Sequence, residues 1–226
     1  MKNKGKMFVI EGTDGSGKAT QTELLAKRWE NEGVNYRTVT FPNYESPSSS
    51  LVKMYLNGEF GEKPEAVNAY VASSFFAVDR WATWKKEYTE YYEQGGIVLA
   101  DRYTPSNLIH QAGKIDDEKE RENFLNWVYE YEYKLLQLPE PDMVIFLNMP
   151  TEYAQQVMKE RENKITHEQK KDIHESDVEY LDKAYKNACE LAKRYNWKIV
   201  NCVEEGKVRT REEIHNEIYQ LVNSCK

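Results

Sequence analysis

Apolar and polar positions along this chain switch between two periods, and the switches mark its elements. Short β-prone runs at 7–10, 36–41, 97–100, 142–148 and 197–201 read as strands, with 97–100 a buried one. Between the first two, Leu24, Leu25 and Trp29 recur at helical spacing within 21–32, and further helical stretches are predicted at about 65–94, 119–137, 151–162, 177–195 and 210–223. Two boundaries carry their own signals. Thr210, followed three residues on by Glu213, forms a capping-box start for the last helix, and Gly95-Gly96 stops the long one before its strand. Strands alternating with helices imply right-handed crossovers and a parallel sheet covered on both faces, so the fold class is α/β. There is no internal repeat and no low-complexity tract.

Composition narrows the picture. The chain has 226 residues, with 31 Lys+Arg against 38 Asp+Glu for a formal net charge of −7. That length suits one domain, or one domain with a mobile insert. No run approaches the ~18 apolar residues of a membrane span. The basic start, 1–6, precedes an apolar run too short for a secretory segment, so export is not expected. Cys189, Cys202 and Cys225 have no C-x-x-C spacing and read as ordinary thiols of a reducing cytosol. An acidic chain is a poor non-specific binder of nucleic acid, yet a few cations can still converge on a small anion. The stretch 160–175 is dense in charge and lacks an apolar stripe; it is the expected mobile segment, with a solvated linker as the alternative.

The sharpest chemical signal is Gly12-Thr13-Asp14-Gly15-Ser16-Gly17-Lys18, a G-x-x-x-x-G-K set between a strand and a helix. Glycines let successive N–H groups turn inward toward phosphate oxygens, the helix N-terminus adds partial positive charge, and Lys18 adds a full one. A nucleoside triphosphate is the expected ligand of positions 12–20. Ala19 stands where Ser or Thr usually ligates Mg²⁺, so direct hydroxyl ligation is lost there. Thr20 is read as a helix cap, with a water-mediated reach to the metal as the alternative. The G-x-G-x-x-G dinucleotide fingerprint is not satisfied, which disfavours a nicotinamide dehydrogenase.

A triphosphate loop alone does not separate a GTPase, a motor ATPase and a small-molecule kinase. Asn163-Lys164-Ile165-Thr166 lacks the final Asp of the N-K-x-D guanine signature, which weakens a switch GTPase. The buried run 97–100 leads into Asp101-Arg102-Tyr103, placing a carboxylate and a guanidinium at the carboxyl edge, where such sheets bind ligands. Asp101 can hold a metal through water and Arg102 can bridge phosphoryl groups; the alternative is an Asp–Arg pair tying down a loop. Phe76 and Arg80, four apart, share a helix face and offer a ring to stack on a base beside a donor for its polar edge. Core packing is the alternative for Phe76, and Phe75, Val78, Trp81 and Trp84 read as core or subunit contacts.

In combination and order, Glu11 through Lys18, Phe41-Pro42, Phe76-Ala77-Val78-Asp79-Arg80, Asp101-Arg102-Tyr103 and Asp172-Ile173-His174-Glu175 resemble the thymidylate (dTMP) kinase family, P-loop nucleoside monophosphate kinases, over nearly the whole chain. The resemblance implies a three-layer P-loop NTPase fold with a five-stranded parallel sheet flanked by helices, in one domain with a short mobile lid at about 159–174. It implies transfer of the γ-phosphoryl of ATP to dTMP, giving dTDP for dTTP biosynthesis, with Mg²⁺, in a cytoplasmic homodimer that binds neither nucleic acid nor membrane.

Carried over by position, Phe76 resembles the ring that stacks on thymine, Arg80 the donor to its 4-oxo group, and Asn107 the residue near base and phosphate. Asp14 resembles the loop carboxylate near the acceptor phosphate, its metal or the sugar. Arg102 resembles the arginine between donor and acceptor phosphates, while Asp172 and Glu175 match acidic positions near sugar and metal. The chain departs from the family pattern at Tyr44, where many members have arginine after Phe-Pro-x, and at His110, where a tyrosine under the deoxyribose is common. Asp14 and Asp101 are the expected metal-side carboxylates.

Phosphoryl transfer needs alignment and cations on the equatorial oxygens, and a monophosphate oxygen is already a nucleophile. Positions 13–16 contain no Lys or Arg, so the extra charge must come from elsewhere. Among Lys159, Arg161, Lys164, Lys170 and Lys171, Arg161 is expected, because a planar fork bridges two phosphoryl oxygens. Lys18, Asp14, Arg102 and Arg161 thus form the expected catalytic set. Two rival readings stand beside this one: a P-loop kinase of another acceptor, and a nucleotide-binding regulatory module without transfer. The aromatics Trp81, Trp84, Tyr88, Tyr91 and Tyr92 fit a subunit interface or burial within the monomer.

Overall fold

The computed structural model describes residues 4–164 and 178–225, with backbone alone at 160–164 and 178. Five strands, β1 (Lys6–Glu11), β2 (Tyr36–Thr40), β3 (Ile97–Asp101), β4 (Met143–Asn148) and β5 (Lys198–Asn201), form one sheet in the order β2-β3-β1-β4-β5. Every neighbouring pair is parallel. The helices are α1 (Lys18–Asn31), α2 (Ser50–Leu56), α3 (Ala69–Thr83), α4 (Thr89–Glu93), α5 (Thr104–His110), α6 (Glu118–Tyr129), α7 (Thr151–Lys164), α8 (Val178–Arg194) and α9 (Arg211–Asn223). A two-stranded hairpin, β6 (Val203–Glu204) and β7 (Lys207–Val208), precedes α9.

Alternate residues of each strand face opposite sides of the sheet, and in the inner strands β1, β3 and β4 both sides are buried, whereas the edge strands β2 and β5 are largely exposed. Met7, Val9, Val98, Ala100, Val144 and Phe146 meet α5, α6 and α8 through Leu108, Ile109, Phe124, Val128 and Leu191. Phe8, Ile10, Leu99, Ile145 and Leu147 meet α1 and α9 through Leu25, Trp29, Ile214, Ile218 and Val222. This explains why the three inner strands read as apolar runs rather than as alternating ones. All three cysteines are free, and burial pushes the Cys202 thiol up to about 12. Among the described residues, no helix is long and apolar enough to cross a membrane.

Several helices depart from the expected pattern. The helix expected over 65–94 is interrupted: α3 begins only after Asn68, whose side chain caps it by accepting from the Val71 amide at 2.9 Å, and a π turn at Trp84–Tyr88 separates α3 from α4. A second π turn, Glu130–Leu135, extends α6. The short helices α2 and α5 were not expected. The first helix begins at Lys18 rather than 21, with Gly17 as its N-cap, so Thr20 lies inside the first turn and does not cap it. Trp84, Tyr88 and Tyr92 are buried in the monomer, whereas Trp81 stays exposed.

Register sets up the site. Ile10 and Thr40 both pair with Asp101, so β1, β2 and β3 end level with one another. The chain then leaves adjacent strands β1 and β3 for opposite faces, through α1 and α5, opening a crevice at the carboxyl edge.

Candidate active site

The loop after β1 turns on glycines. Gly15 has φ +80°, and a Cβ there would come within 2.7 Å of the Ala154 carbonyl oxygen; Gly17, at φ +93°, starts α1. Lys18 is only 7% exposed, and its Nζ donates to the Thr13 carbonyl at 2.8 Å with Asp14 Oδ1 at 3.9 Å. Burial, reinforced by the Arg102 guanidinium, pulls the Lys18 ammonium down to about 8. Thr13 Oγ1 and Ser16 Oγ are buried without a hydrogen-bond partner among the described residues. Such hydroxyls call for acceptors or ligands from outside the chain, as phosphate oxygens or a hydrated cation would provide.

The turn after β3 is strained where it carries charge. Arg102 adopts φ +67°, a left-handed conformation costing about 1–3 kcal/mol for a non-glycine residue. Its amide donates to the Ile10 carbonyl at 3.2 Å, and beneath it the fully buried Glu11 carboxylate accepts from the Tyr103 amide at 3.0 Å and Ser106 Oγ at 2.8 Å. Burial raises the Glu11 pKa, opposed by Arg102, Ser106, Lys18 and the Tyr103 amide. The Arg102 guanidinium pairs through Nη2 with Asp14, and its Nη1 lies 3.2 Å from His110 Nε2. Burial works against its charge, but Asp14, Glu11 and Asp101 more than offset this and hold it firmly protonated.

Across the turn lies an apolar slot. Phe76 is half-buried and meets Tyr55 edge-on, with ring centroids 6.2 Å apart. Lys114 Nζ donates to the Tyr55 hydroxyl and the Pro64 carbonyl, each at 2.7 Å, anchoring the segment behind that ring; burial lowers this ammonium to about 7. Arg80 is 2% exposed and forms a two-pronged pair with Glu132. On the facing side the Phe41-Pro42 bond is cis, and Asp79 fixes the following loop by accepting from the Asn43 amide at 2.8 Å and Ser48 Oγ at 2.6 Å.

The thymidylate kinase family model matches residues 10–218. The chain belongs to the thymidylate kinase family. It is 29% identical over 225 residues to the thymidylate kinase of Plasmodium falciparum, covering 100% of this chain and 93% of the relative. It is 32% identical over 213 residues to the probable thymidylate kinase of Methanocaldococcus jannaschii, covering 94% and 93%. The solved thymidylate kinase of Candida albicans shares the fold at a TM-score of 0.73 and 20% identity, over 98% of this chain and 92% of that one. Members of the thymidylate kinase family are phosphotransferases, and the five-stranded parallel sheet is the P-loop NTPase arrangement.

Of the site residues expected from the sequence, Asp14, Tyr44, Phe76, Arg80, Arg102, Asn107 and His110 line one cleft. Lys18 and the loop 12–20 border it through Asp14. Asp101 is buried at the end of β3, but the carboxylate paired with Arg102 is Asp14. Arg161 falls in α7, where only the backbone is described, and Asp172 and Glu175 lie outside the described residues. Among the described residues, no group of three His, Cys, Asp or Glu could hold a metal. The donors fit Mg²⁺ held largely by phosphate oxygens and water, with Asp14 or Asp101 nearby.

Three supporting carboxylates were not anticipated: Glu11, Asp79 and Glu132, all fully buried. Glu132 did leave a trace in the sequence. It stands seven residues after Leu125 and four after Val128, a charge on an otherwise apolar helix face.

Proposed function

We infer from this geometry how the chain carries out its family's reaction, transfer of the γ-phosphoryl of ATP to dTMP to give dTDP. The observation that carries the inference is the Asp14–Arg102 pair, which joins the phosphate loop to the cleft holding Phe76. ATP lies with its phosphates over the loop 12–20, where inward N–H groups and Lys18 receive them. The acceptor base lies against Phe76, with its polar edge toward Arg80 and Asn107 and its sugar toward His110. Its phosphate then faces Arg102 and Tyr44.

Lys18 and Arg102 are held in the free protein by internal partners, the Thr13 carbonyl and the Asp14 carboxylate, which phosphoryl oxygens would replace. Swapping one set of partners for another keeps both cations placed before substrate arrives, so little ordering is left for the reacting complex. Arg161, on α7, supplies the cation that the loop lacks; Asp172 and Glu175 act near sugar and metal. Asp14 and Asp101 would hold Mg²⁺ through water, and the ion would supply positive charge against the phosphates. The expected lid of this single domain, about 159–174, lies largely outside the described residues.

Val71, Val78 and Trp81 expose apolar surface along one face of α3, which supports a homodimer formed there. Free thiols throughout support a reducing, cytoplasmic location. A panel of nucleoside monophosphates with Mg-ATP, scored by ADP release, tests the acceptor: dTMP is expected to give the highest kcat/KM. Preference for another monophosphate, or ATP hydrolysis equally fast without acceptor, would refute this reading.

A further inference from the structure

We infer that Glu132 is a specificity-determining positioning residue: it fixes which hydrogen-bonding atoms the base cleft presents, and so selects an oxo-imide pyrimidine edge over an aminopyrimidine edge. The inference rests on the acceptor base lying between Phe76, Arg80 and Asn107.

Glu132 sits in the π turn that extends α6, with its carboxylate fully buried. The carboxylate accepts from Arg80 Nε at 2.8 Å, Arg80 Nη2 at 2.7 Å, Thr104 Oγ1 at 2.8 Å and Asn107 Nδ2 at 2.7 Å. A carboxylate has about four acceptor sites and no donor, so this shell fills it. Asn107 Nδ2 also donates to the Ser73 carbonyl at 3.2 Å. Both amide hydrogens of Asn107 therefore go to atoms that can only accept, and the amide orientation is determined. What remains for the cleft is the carbonyl oxygen, Oδ1. Arg80 is fixed by the same logic: with Nε and Nη2 turned to Glu132, the nitrogen on its far side is Nη1.

The cleft thus offers a donor from Arg80 beside an acceptor from Asn107. A thymine or uracil edge carries the complement, a 4-oxo acceptor beside an N3–H donor. Cytosine carries the reverse, an exocyclic amine beside a bare N3, and would set donor against donor and acceptor against acceptor. Misfits of this kind discriminate strongly because buried polar groups are left unpaired. Neither Arg80 nor Asn107 enforces the code alone, since an asparagine amide can turn over; Glu132, backed by the Ser73 carbonyl, enforces it by being unable to donate.

The test is Glu132→Gln, which keeps the shape but turns one of the two oxygens into an amide that donates: it costs Arg80 one acceptor and, on the side facing Asn107, leaves the Ser73 carbonyl alone to hold the orientation of that amide. With saturating Mg-ATP, the ratio of kcat/KM for dTMP to that for dCMP is expected to fall at least tenfold. The loss should lie in the KM for dTMP, with kcat within about threefold and the KM for ATP unchanged. An unchanged ratio, or a parallel loss for both acceptors and for ATP, overturns the role. Because the variant can fail to fold, the wild-type protein gives a second reading: in ¹⁵N-labelled enzyme both side-chain amide hydrogens of Asn107 should exchange slowly with solvent, and exchange as fast as an exposed amide overturns the inference. Failures are separable. Wild-type enzyme without preference for dTMP over dCMP refutes the cleft assignment, whereas a wild-type preference retained in Glu132→Gln refutes the role of Glu132 alone.

Discussion

His110 Nε2 lies 3.2 Å from Arg102 Nη1, and because a guanidinium can only donate, the imidazole accepts through Nε2 and is neutral at that atom. The ring also stacks on Tyr180 of α8, with centroids 6.1 Å apart and planes 24° from parallel. Replacing His110 with phenylalanine keeps the stack and removes the acceptor. A hydrogen bond to a charged group contributes about 1.5–3 kcal/mol, so kcat/KM for dTMP should fall about tenfold or more in His110→Phe while the melting temperature moves little. Steady-state kinetics beside thermal melts check this, and unchanged kinetics would show that Asp14 alone positions Arg102.

Lys18 gives the site an alkaline limit. Its ammonium, lowered to about 8 by burial, is charged below that pH and neutral above it in the free protein, whereas in the unfolded chain it stays protonated to about 10.4. Between these values the unfolded chain binds more protons, so this group's contribution to stability rises with pH across that window. Activity runs the other way. As pH passes 8, kcat/KM for ATP should fall, while kcat at saturating ATP stays flatter because bound phosphates favour the ammonium. Lys18→Met should abolish transfer and remove the alkaline rise in the urea midpoint. A kcat/KM for ATP that is level to pH 9.5 would contradict the assignment.

Phe76 separates stacking from structure. Phe76→Ala should weaken dTMP binding by about 1–3 kcal/mol, the range for base stacking on aromatic side chains, with ATP affinity unchanged. Calorimetric titration with each nucleotide decides it. If only stability falls, the ring serves Tyr55 and not a base.

Arg161 should behave as an arginine finger. Arg161→Ala is expected to lower kcat by about 10³-fold with modest changes in either KM, whereas Lys159→Ala, on the exposed side of α7, should change little. Single-turnover measurement of both variants checks this, and a loss under tenfold for Arg161→Ala would assign the charge to another cation.

What the sequence disclosed, and what it hid, follows from the kind of force that shapes each part. The strands were legible because a parallel sheet buried on both faces demands continuous apolar runs such as Phe8-Val9-Ile10 and Val144-Ile145-Phe146-Leu147. The phosphate loop was legible because its backbone needs glycine at Gly15 and Gly17. The first turn of α1 was not, since Gly17 and the loop hold it and no apolar stripe does. Helix α5 leaves no such pattern, for a similar reason: seven residues are too few for a period, and its start is fixed by Glu11, 92 positions away from Tyr103. The break before α3 is a local cap at Asn68 that a run of apolar residues masks. Arg80, Arg102 and Asn107 could be picked out singly, but Glu132 orients Arg80 and Asn107, Glu11 holds the turn that carries Arg102, and Asp79 holds the loop that carries Tyr44, partners that meet only in three dimensions.

The central claim is that two nucleotides meet phosphate to phosphate between the loop at 12–18 and Arg102. Binding of an adenosine–thymidine dinucleotide joined by five phosphates, measured calorimetrically with Mg²⁺, tests it most directly. The account predicts one site per chain, affinity well above that of either ATP or dTMP, and displacement by each of them. Binding no tighter than ATP, or displacement by ATP but not by dTMP, would contradict it.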